Sequence, residues 1–236
     1  MRYLALLGGD QSAGPEPGTP EFDAIVAAHM RFAETAGGAV VTGEALELAT
    51  TATTVRHGDF EPLVTSGPYA ETVEALGGFY VLEAETLDGA IELARQIPAA
   101  HDGWVGLRPI VDWFDRGNED GGDTKRYVAF IYGKETDGDQ PDTPAWDKGA
   151  AAHQRFIDAA GDAVQSGGAL HPIATATTVQ VRDDDVIVTD GPFAESAEVV
   201  GGFYLLRAER DDEAVALAKQ IPAEAIELRP IMELGS

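Results

Sequence analysis

The sequence contains no cysteine, which excludes disulfide bonds and cysteine-based metal sites. It also lacks any apolar run near the roughly 20 residues that a membrane-spanning helix needs. The opening stretch, MRYLALLGGD, reaches glycine and charge too soon to form the core of a signal peptide. We therefore expect a cytoplasmic protein without a membrane-spanning segment.

Basic residues are scarce, with 16 Lys plus Arg against 41 Asp plus Glu and a net charge of -25. Such a surface repels phosphate groups, so we expect neither nucleic acid nor an anionic membrane as a partner. The hydrophobic fraction of 44% is ordinary for a globular protein and can supply a core. The length of 236 residues suits one large domain or two small ones.

One segment occurs twice in the chain. TSGPYAETVEALGGFYVL spans residues 65–82, and TDGPFAESAEVVGGFYLL spans residues 189–206. A shift of 124 positions aligns residues 2–99 with 126–223 without a gap. The first copy then has three extra residues around His101–Gly103, and the register returns at LRPI in both copies. A repeat of this length is too long for a solenoid unit and indicates a duplicated domain.

The boundary between the copies is marked by composition. The stretch DRGNEDGGD, residues 115–123, is charged, rich in glycine and free of apolar side chains. The sequence therefore predicts a first domain over residues 1–112, an acidic glycine-rich linker over 113–124 and a second domain over 125–236.

Each copy has the pattern of an α+β domain. Apolar residues recur at helical spacing over 21–36 and again over 87–97, where Pro98 follows. Strand-like runs, rich in β-branched and aromatic residues, surround these two helices. The predicted strands of the first copy are 2–7, 39–47, a hairpin formed by TATTVR and 62–66, the GGFYVLEAE run, and 104–111. The order β-α-β-hairpin-β-α-β is that of a ferredoxin-like domain.

The motifs resemble one known group of proteins. Asp190-Gly-Pro-Phe193, followed by Gly201-Gly-Phe-Tyr204, is similar to the signature of the DGPF group of the YCII-related family. TATTV ahead of this turn and RPI near the end of each copy are also similar to that group. The resemblance covers both copies nearly from end to end.

The resemblance implies a ferredoxin-like fold of the dimeric α/β-barrel kind, in which two sheets pair. Here it implies that the two repeats pair within one chain, where the covalent link gives a high effective concentration. A monomeric chain is therefore the expectation, and the sequence does not define any higher oligomer. The family's YCII-like members have been proposed to use a His–Asp pair in a cleft. Many DGPF members are encoded near alternative sigma factors, without a settled role.

His29 and His153 are the first candidate catalytic residues. Both lie on the apolar stripe of the first helix of their repeat. A neutral imidazole near pH 7 can accept or donate a proton, as general acid–base chemistry requires. The alternative is that each histidine is a hydrogen-bonded core residue that fills space.

Asp190 is the third candidate catalytic residue. Its carboxylate can orient a histidine, as in other acid–base pairs, or can accept backbone N–H bonds within its own turn. The first copy has Ser66 at the equivalent position. Serine serves a turn equally well but cannot act as the carboxylate of a His–Asp pair. A symmetric enzyme with two His–Asp sites would not tolerate this difference.

Four further residues are candidates for substrate binding: His171, Arg229, Arg108 and Glu195. The arginines can bind a substrate carboxylate or form salt bridges between the copies. Glu195 can close over a polar ligand or remain a solvated surface residue, and His171 can be an exposed residue at the end of a strand. Two histidines and a carboxylate can hold a metal, but their spacing matches no local metal motif, so we predict no metal site.

The sequence leaves two classes of function open, beside a purely structural pseudo-dimer with no cavity near His29 and His153. One is a small-molecule enzyme of isomerase or lyase type that uses His/Asp acid–base chemistry in a cleft, with no organic cofactor. The other is a non-catalytic module that binds a metabolite or regulates a sigma-factor system. A small-molecule ligand is the partner that both predict.

Overall fold

The computed structural model describes residues 1–69, 74–117, 124–135, 140–193 and 199–234. Strands and helices alternate in the order that the sequence predicts for each repeat. The helices are α1 (Pro20–Ala36), α2 (Leu87–Ala94), α3 (Ala99–Asp102), α4 (Pro144–Ala160) and α5 (Asp211–Ala218). The strands are β1 (Arg2–Asp10), β2 (Val40–Ala45), β3 (Thr53–Arg56), β4 (Leu63–Ser66), β5 (Glu74–Glu83), β6 (Trp104–Asp115), β7 (Lys125–Gly133), β8 (Val164–Leu170), β9 (Thr177–Arg182), β10 (Asp185–Asp190), β11 (Val199–Ala208) and β12 (Ala225–Pro230).

The first helix of each repeat has a defined start and end. The Thr19 hydroxyl accepts a hydrogen bond from the Phe22 backbone N–H at 3.3 Å, with Pro20 at the first helical position of α1. Thr143 caps α4 in the same way. Both helices end at a glycine, Gly37 for α1 and Gly161 for α4. In the described ranges, no helix combines the length and the apolar character that crossing a membrane requires.

The second helical segment is shorter than predicted. The Thr86 hydroxyl caps α2, but the helix stops at Ala94 instead of continuing to residue 97. The extra residues of the first repeat form α3. β6 continues through Asp115, so the predicted linker over 113–124 begins inside a strand.

The chain divides into two compact units, and each unit takes residues from both repeats. Unit 1 consists of Met1–Ala45, Thr72–Pro109 and Ala174–Glu195. Unit 2 consists of Leu46–Glu71, Ile110–Ile173 and Ser196–Ser236. Unit 1 therefore includes the segment Ala174–Glu195 of the second repeat, and unit 2 includes the segment Leu46–Glu71 of the first repeat.

Unit 1 is built on an antiparallel sheet. The strands β2, β5, β1 and β6 pair in that order, which is the strand order of a ferredoxin-like domain. β6 then pairs with β9, and β9 pairs with β10 in a tight hairpin. Because β9 and β10 come from the second repeat, the hairpin of that repeat extends the sheet of the first.

Unit 2 has the equivalent arrangement. The strands β8, β11, β7 and β12 pair in that order, and the hairpin β3–β4 of the first repeat follows on β12. The second half of β6 pairs with β8 at the other side of this sheet. The predicted α+β class, with two ferredoxin-like repeats, is therefore observed.

Each unit buries a core on the helix-bearing face of its sheet. In unit 1, Phe32 of α1 packs with residues of β1, β5 and β6 and with Val179 and Val181 of the exchanged hairpin. In unit 2, Phe156 of α4 and Val55 of the other hairpin take part in the equivalent core. Buried apolar side chains on both hairpins show that the exchanged segments contribute to each core.

Candidate functional site

A histidine and a tyrosine meet in each unit where the long helix packs on the sheet. His29 on α1 has its Nδ1 3.0 Å from the Tyr80 hydroxyl on β5. His153 on α4 has its Nδ1 2.9 Å from the Tyr204 hydroxyl on β11. The same hydrogen bond therefore occurs in both repeats. The two histidines are half-buried, and the two tyrosines are buried.

The tyrosine ring of each pair fits over a glycine of the neighbouring strand, β2 in unit 1 and β8 in unit 2. A Cβ added at Gly43 would lie 2.1 Å from the Tyr80 ring, and one at Gly167 would lie 2.5 Å from the Tyr204 ring. A side chain at either position would displace the ring that holds the histidine. Phe32 and Phe156 pack on these rings with centroid distances of 5.3 Å in each unit.

Burial sets the protonation states of both pairs. It lowers the pKa of His29 and of His153, because the charged imidazolium loses solvation. It raises the pKa of Tyr80 to about 12 and also raises that of Tyr204. At neutral pH each pair is therefore a neutral imidazole bonded to a neutral phenol. Because Nδ1 is occupied by the tyrosine, Nε2 is the nitrogen that can exchange a proton with a ligand.

Asp190 lies in the other unit from His153. It is an exposed residue at the end of β10 and belongs to unit 1. Within unit 1, the strand register places Tyr80 opposite Ala5, Ala5 opposite Leu107, Leu107 opposite Thr177, and Thr177 opposite Asp190. Four strand spacings correspond to about 19 Å. Asp190 is therefore remote from the His29–Tyr80 pair of its own unit.

The turn that follows Asp190 has the same backbone bonds as its counterpart after Ser66. The Gly191 N–H donates to the Ala176 carbonyl at 2.8 Å, and the Thr178 hydroxyl donates to the Gly191 carbonyl at 2.9 Å. In unit 2 the Gly67 N–H donates to Ala52 at 2.7 Å, and the Thr54 hydroxyl donates to Gly67 at 2.9 Å. These turn bonds form with either Asp or Ser at the preceding position.

Arg229 lies in a buried ion pair of unit 2. Its guanidinium donates to Glu227 at 2.5 Å, and the two side chains are 1% and 4% exposed. Arg229 also donates to the Glu47 carbonyl at 3.2 Å, and Glu227 accepts from the Tyr69 backbone N–H at 2.9 Å. The pair therefore ties β12 of the second repeat to two segments of the first. The ion pair lies within the second repeat, whereas the sequence predicts a salt bridge between the copies; contact with the first repeat is made through the Glu47 carbonyl and the Tyr69 N–H.

Arg108 is the equivalent arginine of unit 1 and is also buried. Its neighbour on the same face of β6 is Gly106, where the second repeat has Glu227. Gly106 cannot supply the carboxylate that Glu227 supplies in unit 2. The two repeats therefore keep the same arginine but differ in the residue two positions before it.

Aromatic stacking also distinguishes the two units. In unit 2, Tyr69 stacks on Tyr132 with a centroid distance of 4.3 Å, and Arg56 lies 4.6 Å from the Tyr69 ring. In unit 1, Phe193 stacks on Trp104 at 5.0 Å. Tyr69 and Phe193 are the aromatic residues that close the two related turns. Each turn is therefore anchored to the sheet of the opposite repeat by a ring.

The remaining candidates lie elsewhere. His171 follows directly on β8 in unit 2 and is half-buried before Pro172. Glu195 lies outside the described residues. Over the part of the chain that the structure describes, no three or more His, Asp or Glu side chains are grouped so as to hold a metal ion.

Sequence reasoning finds both histidines but misses their tyrosine partners. Tyr80 and Tyr204 belong to the GGFY motif, which appears in both copies and by itself indicates only a strand. Gly43 and Gly167 are also equivalent glycines in the two copies. A glycine on one strand and a tyrosine on its neighbour, both kept in the two copies, are the signal that could have indicated the contact.

These features define a duplicated α+β protein with one imidazole–phenol pair per repeat. The sequence profile described as YCII-related domain matches residues 1–114 and, a second time, residues 126–234. The chain belongs to the YCII-related family, which confirms the predicted family. Its assignment to the DGPF group within the family stays a prediction.

Individual relatives add little about function. The chain is 41% identical over 63 residues to uncharacterized protein R00369 of Rhizobium meliloti (strain 1021), which is 26% of this chain and 51% of that protein. The chain thus spans about half the length of this curated relative. It is also similar to the crystal structure of "Putative Chlorite dismutase TA0507", with a TM-score of 0.43 and 9% identity over 98% of this chain and 94% of that one.

Proposed function

We propose that the protein is a small-molecule enzyme that moves a proton at carbon, in the manner of an isomerase or lyase. His153 accepts the proton through Nε2, and Tyr204 holds the imidazole by its Nδ1. His29 and Tyr80 form a second centre of the same kind. The observation that carries this proposal is the repeated His–Tyr hydrogen bond of 2.9 and 3.0 Å in the two repeats.

The electrostatics of the pairs support a base more than an acid. Since burial lowers the pKa of both histidines, the neutral form dominates at physiological pH. A neutral imidazole is ready to take a proton from a substrate. In this proposal the imidazole Nδ1–H donates to the tyrosine hydroxyl oxygen, which leaves the lone pair on Nε2 free to accept the substrate proton.

The other predicted residues receive different roles in this proposal. We assign Asp190 to the turn before Gly191, whose backbone bonds match those of the turn after Ser66. Arg229 stabilises unit 2 through Glu227. We keep Arg108 as the proposed group for a substrate carboxylate, because its guanidinium can bind a carboxylate with two hydrogen bonds.

Proton exchange in deuterated water tests the proposal and does not require the natural substrate to be identified first. We would incubate the protein with a panel of small keto and carboxylic acids and follow the loss of the proton next to the carbonyl by NMR. The wild type is expected to catalyse exchange for at least one member, and the H29Q/H153Q double variant is expected to lose it. The H57Q variant serves as the control, because His57 lies outside both pairs and bonds the Lys219 carbonyl.

The outcomes separate the two classes of function. Exchange that survives in H29Q/H153Q would contradict the catalytic assignment. A wild type that exchanges no proton on any member, yet binds one of them, would contradict the enzyme and favour the non-catalytic module.

We also propose that the two repeats pair within one chain in the manner of a dimeric α/β-barrel. The exchange of hairpins supports this pairing, because β3 of the first repeat bonds β12 of the second and β9 of the second bonds β6 of the first. Sedimentation equilibrium is expected to give the mass of a single chain. A dimeric mass at low concentration would contradict pairing within the chain alone.

A further inference from the structure

Unit 1 contains a groove that lies apart from the His29–Tyr80 hydrogen bond. Helix α1 forms one wall with Arg31, Phe32 and Thr35, and the segment that follows α2 forms the other with Pro98, His101 and Asp102. Its volume of about 470 Å³ is within the range of pockets that bind small organic molecules. The groove is shallow and broadly open to solvent, so a ligand can reach it without rearrangement of the fold.

The groove combines an apolar floor with polar groups on its rim. Phe32 is a buried residue of the core, and Pro98 lies opposite α1. The Arg31 guanidinium and the His101 imidazole are exposed donors on the rim. Within the described part of the chain, Arg31 has no ion-pair partner, so its charge is available to a ligand.

The far wall of the groove is an insertion that the second repeat lacks. The extra residues around His101–Gly103 form α3, and Arg182 fixes them in place. Arg182 donates to the carbonyls of Ala100 at 3.1 Å, His101 at 2.8 Å and Gly103 at 2.7 Å. The first repeat has Gly58 at the position equivalent to Arg182. The insertion and the arginine that holds it therefore occur together in unit 1.

We propose that this groove binds a small organic monoanion, a carboxylate on an apolar body. The carboxylate meets Arg31 and His101, and the apolar part rests on Phe32 and Pro98. Asp102 on the same rim repels additional negative charge, so a polyanion is a poor ligand. The inference does not depend on the proposed proton transfer, because His29 is not among the groove residues.

Benzoate is a suitable probe, and amide NMR spectra of the full chain report where it binds. Its shifts are expected to concentrate in residues 28–35 and 96–103, with a dissociation constant on the order of millimolar for so small a ligand. The R31Q variant is expected to weaken binding about threefold to tenfold, the range for loss of one exposed charged contact. R155Q is the matched control, because Arg155 is the equivalent residue on α4 and has no insertion opposite it. It is expected to leave binding unchanged.

Two further variants test the roles of the rim and the anchor. D102N removes a repelling carboxylate and is expected to strengthen benzoate binding, whereas R182Q frees α3 and is expected to weaken it. Both act on exposed or partly buried groups, and circular dichroism checks that each variant is folded. Pyrophosphate is expected to bind more weakly than benzoate. Shifts spread over the whole protein, an equal effect of R31Q and R155Q, or no benzoate shifts at all would overturn the proposal.

Discussion

The Tyr204 hydroxyl lies 2.9 Å from Nδ1 of His153, and Tyr80 repeats this contact with His29 at 3.0 Å. Each bond joins the longest helix of a repeat to the strand that carries the GGFY motif. Since the tyrosines are buried and the histidines half-buried, the contact is part of the packing as well as of the proposed site. Its removal therefore has measurable consequences for stability, whatever the substrate is.

We expect Y204F and Y80F each to lower the free energy of unfolding by about 1 kcal/mol. The substitution keeps the ring over its glycine and removes only the hydroxyl, so the loss reports the hydrogen bond. In a chain of this size, 1 kcal/mol corresponds to a decrease in Tm of about 2–4 °C. Urea and thermal unfolding measure both quantities. Equal stability of Y204F and the wild type would show that the bond is not maintained in solution.

Stability is expected to fall as the pH drops below about 6.5, the pKa of a histidine in an unfolded chain. Because the pKa of His29 and of His153 is lowered in the folded state, the unfolded chain takes up protons first. Their stabilising contribution is complete above that pH and is lost as the pH falls through the lowered folded pKa values.

Urea unfolding at pH 7.5 and pH 5.5 measures this loss, at acidities where most carboxylates are still ionised. The H29Q/H153Q variant is expected to lose less stability over this interval than the wild type. Each single variant is expected to lie between the two. The prediction is wrong if the double variant and the wild type show the same pH dependence.

The buried pair of Glu227 and Arg229 is expected to be sensitive to the loss of one partner. E227Q leaves the Arg229 guanidinium buried without its counter-charge, and we expect a cost of about 3 kcal/mol. The E227M/R229M double variant removes both charges and is expected to cost less than E227Q alone. E83Q is the control, because Glu83 forms an exposed ion pair with Arg2. It is expected to change stability by less than about 1 kcal/mol, and a similar cost for E83Q and E227Q would refute the prediction.

The effects of substitutions at Gly8 and Trp104 on the free energy of unfolding are expected to be coupled. A Cβ at Gly8 would lie 2.1 Å from the indole ring, so G8A forces the ring to move and is expected to cost about 1–3 kcal/mol. In the second repeat, Tyr132 is equivalent to Gly8 and Ala225 is equivalent to Trp104, so the large ring is on the other strand of the pair. The W104A background should therefore remove most of the G8A cost. A double-mutant cycle from urea unfolding measures the coupling, and additive costs would argue against it.

The local elements of this fold could be predicted from the sequence because their causes are local. The threonine caps, the apolar stripe and the terminal glycine define α1 within one segment, and the same signals recur in α4. The early end of α2 is not predictable in this way, because the apolar pattern continues to Ile97, a residue buried without being helical. The spacing of apolar residues indicates which residues are buried, and a buried turn can show the same spacing as a buried helix.

The exchange of hairpins could not be predicted from either copy alone. β3 is a short β-branched strand that would fit the sheet of its own repeat as well as that of the other, since the two sheets are built from similar sequences. The unit to which Asp190 belongs depends on this choice, because Asp190 is the last residue of the exchanged hairpin. The tyrosine partners escape prediction for a different reason, because a residue buried on a strand is normally interpreted as core.

The exchange of hairpins also limits which changes the two copies can undergo after duplication. Deletion of the second copy would remove β9 and β10 from unit 1 and leave an uncovered edge on β6, while β3 and β4 would lose the strand on which they rest. Neither copy can be discarded without cost, so selection for a folded chain retains both even where one has lost its original chemistry. Because both copies are retained, substitutions in one of them can persist. Ser66 in place of Asp190 and Gly106 in place of Glu227 are two such differences.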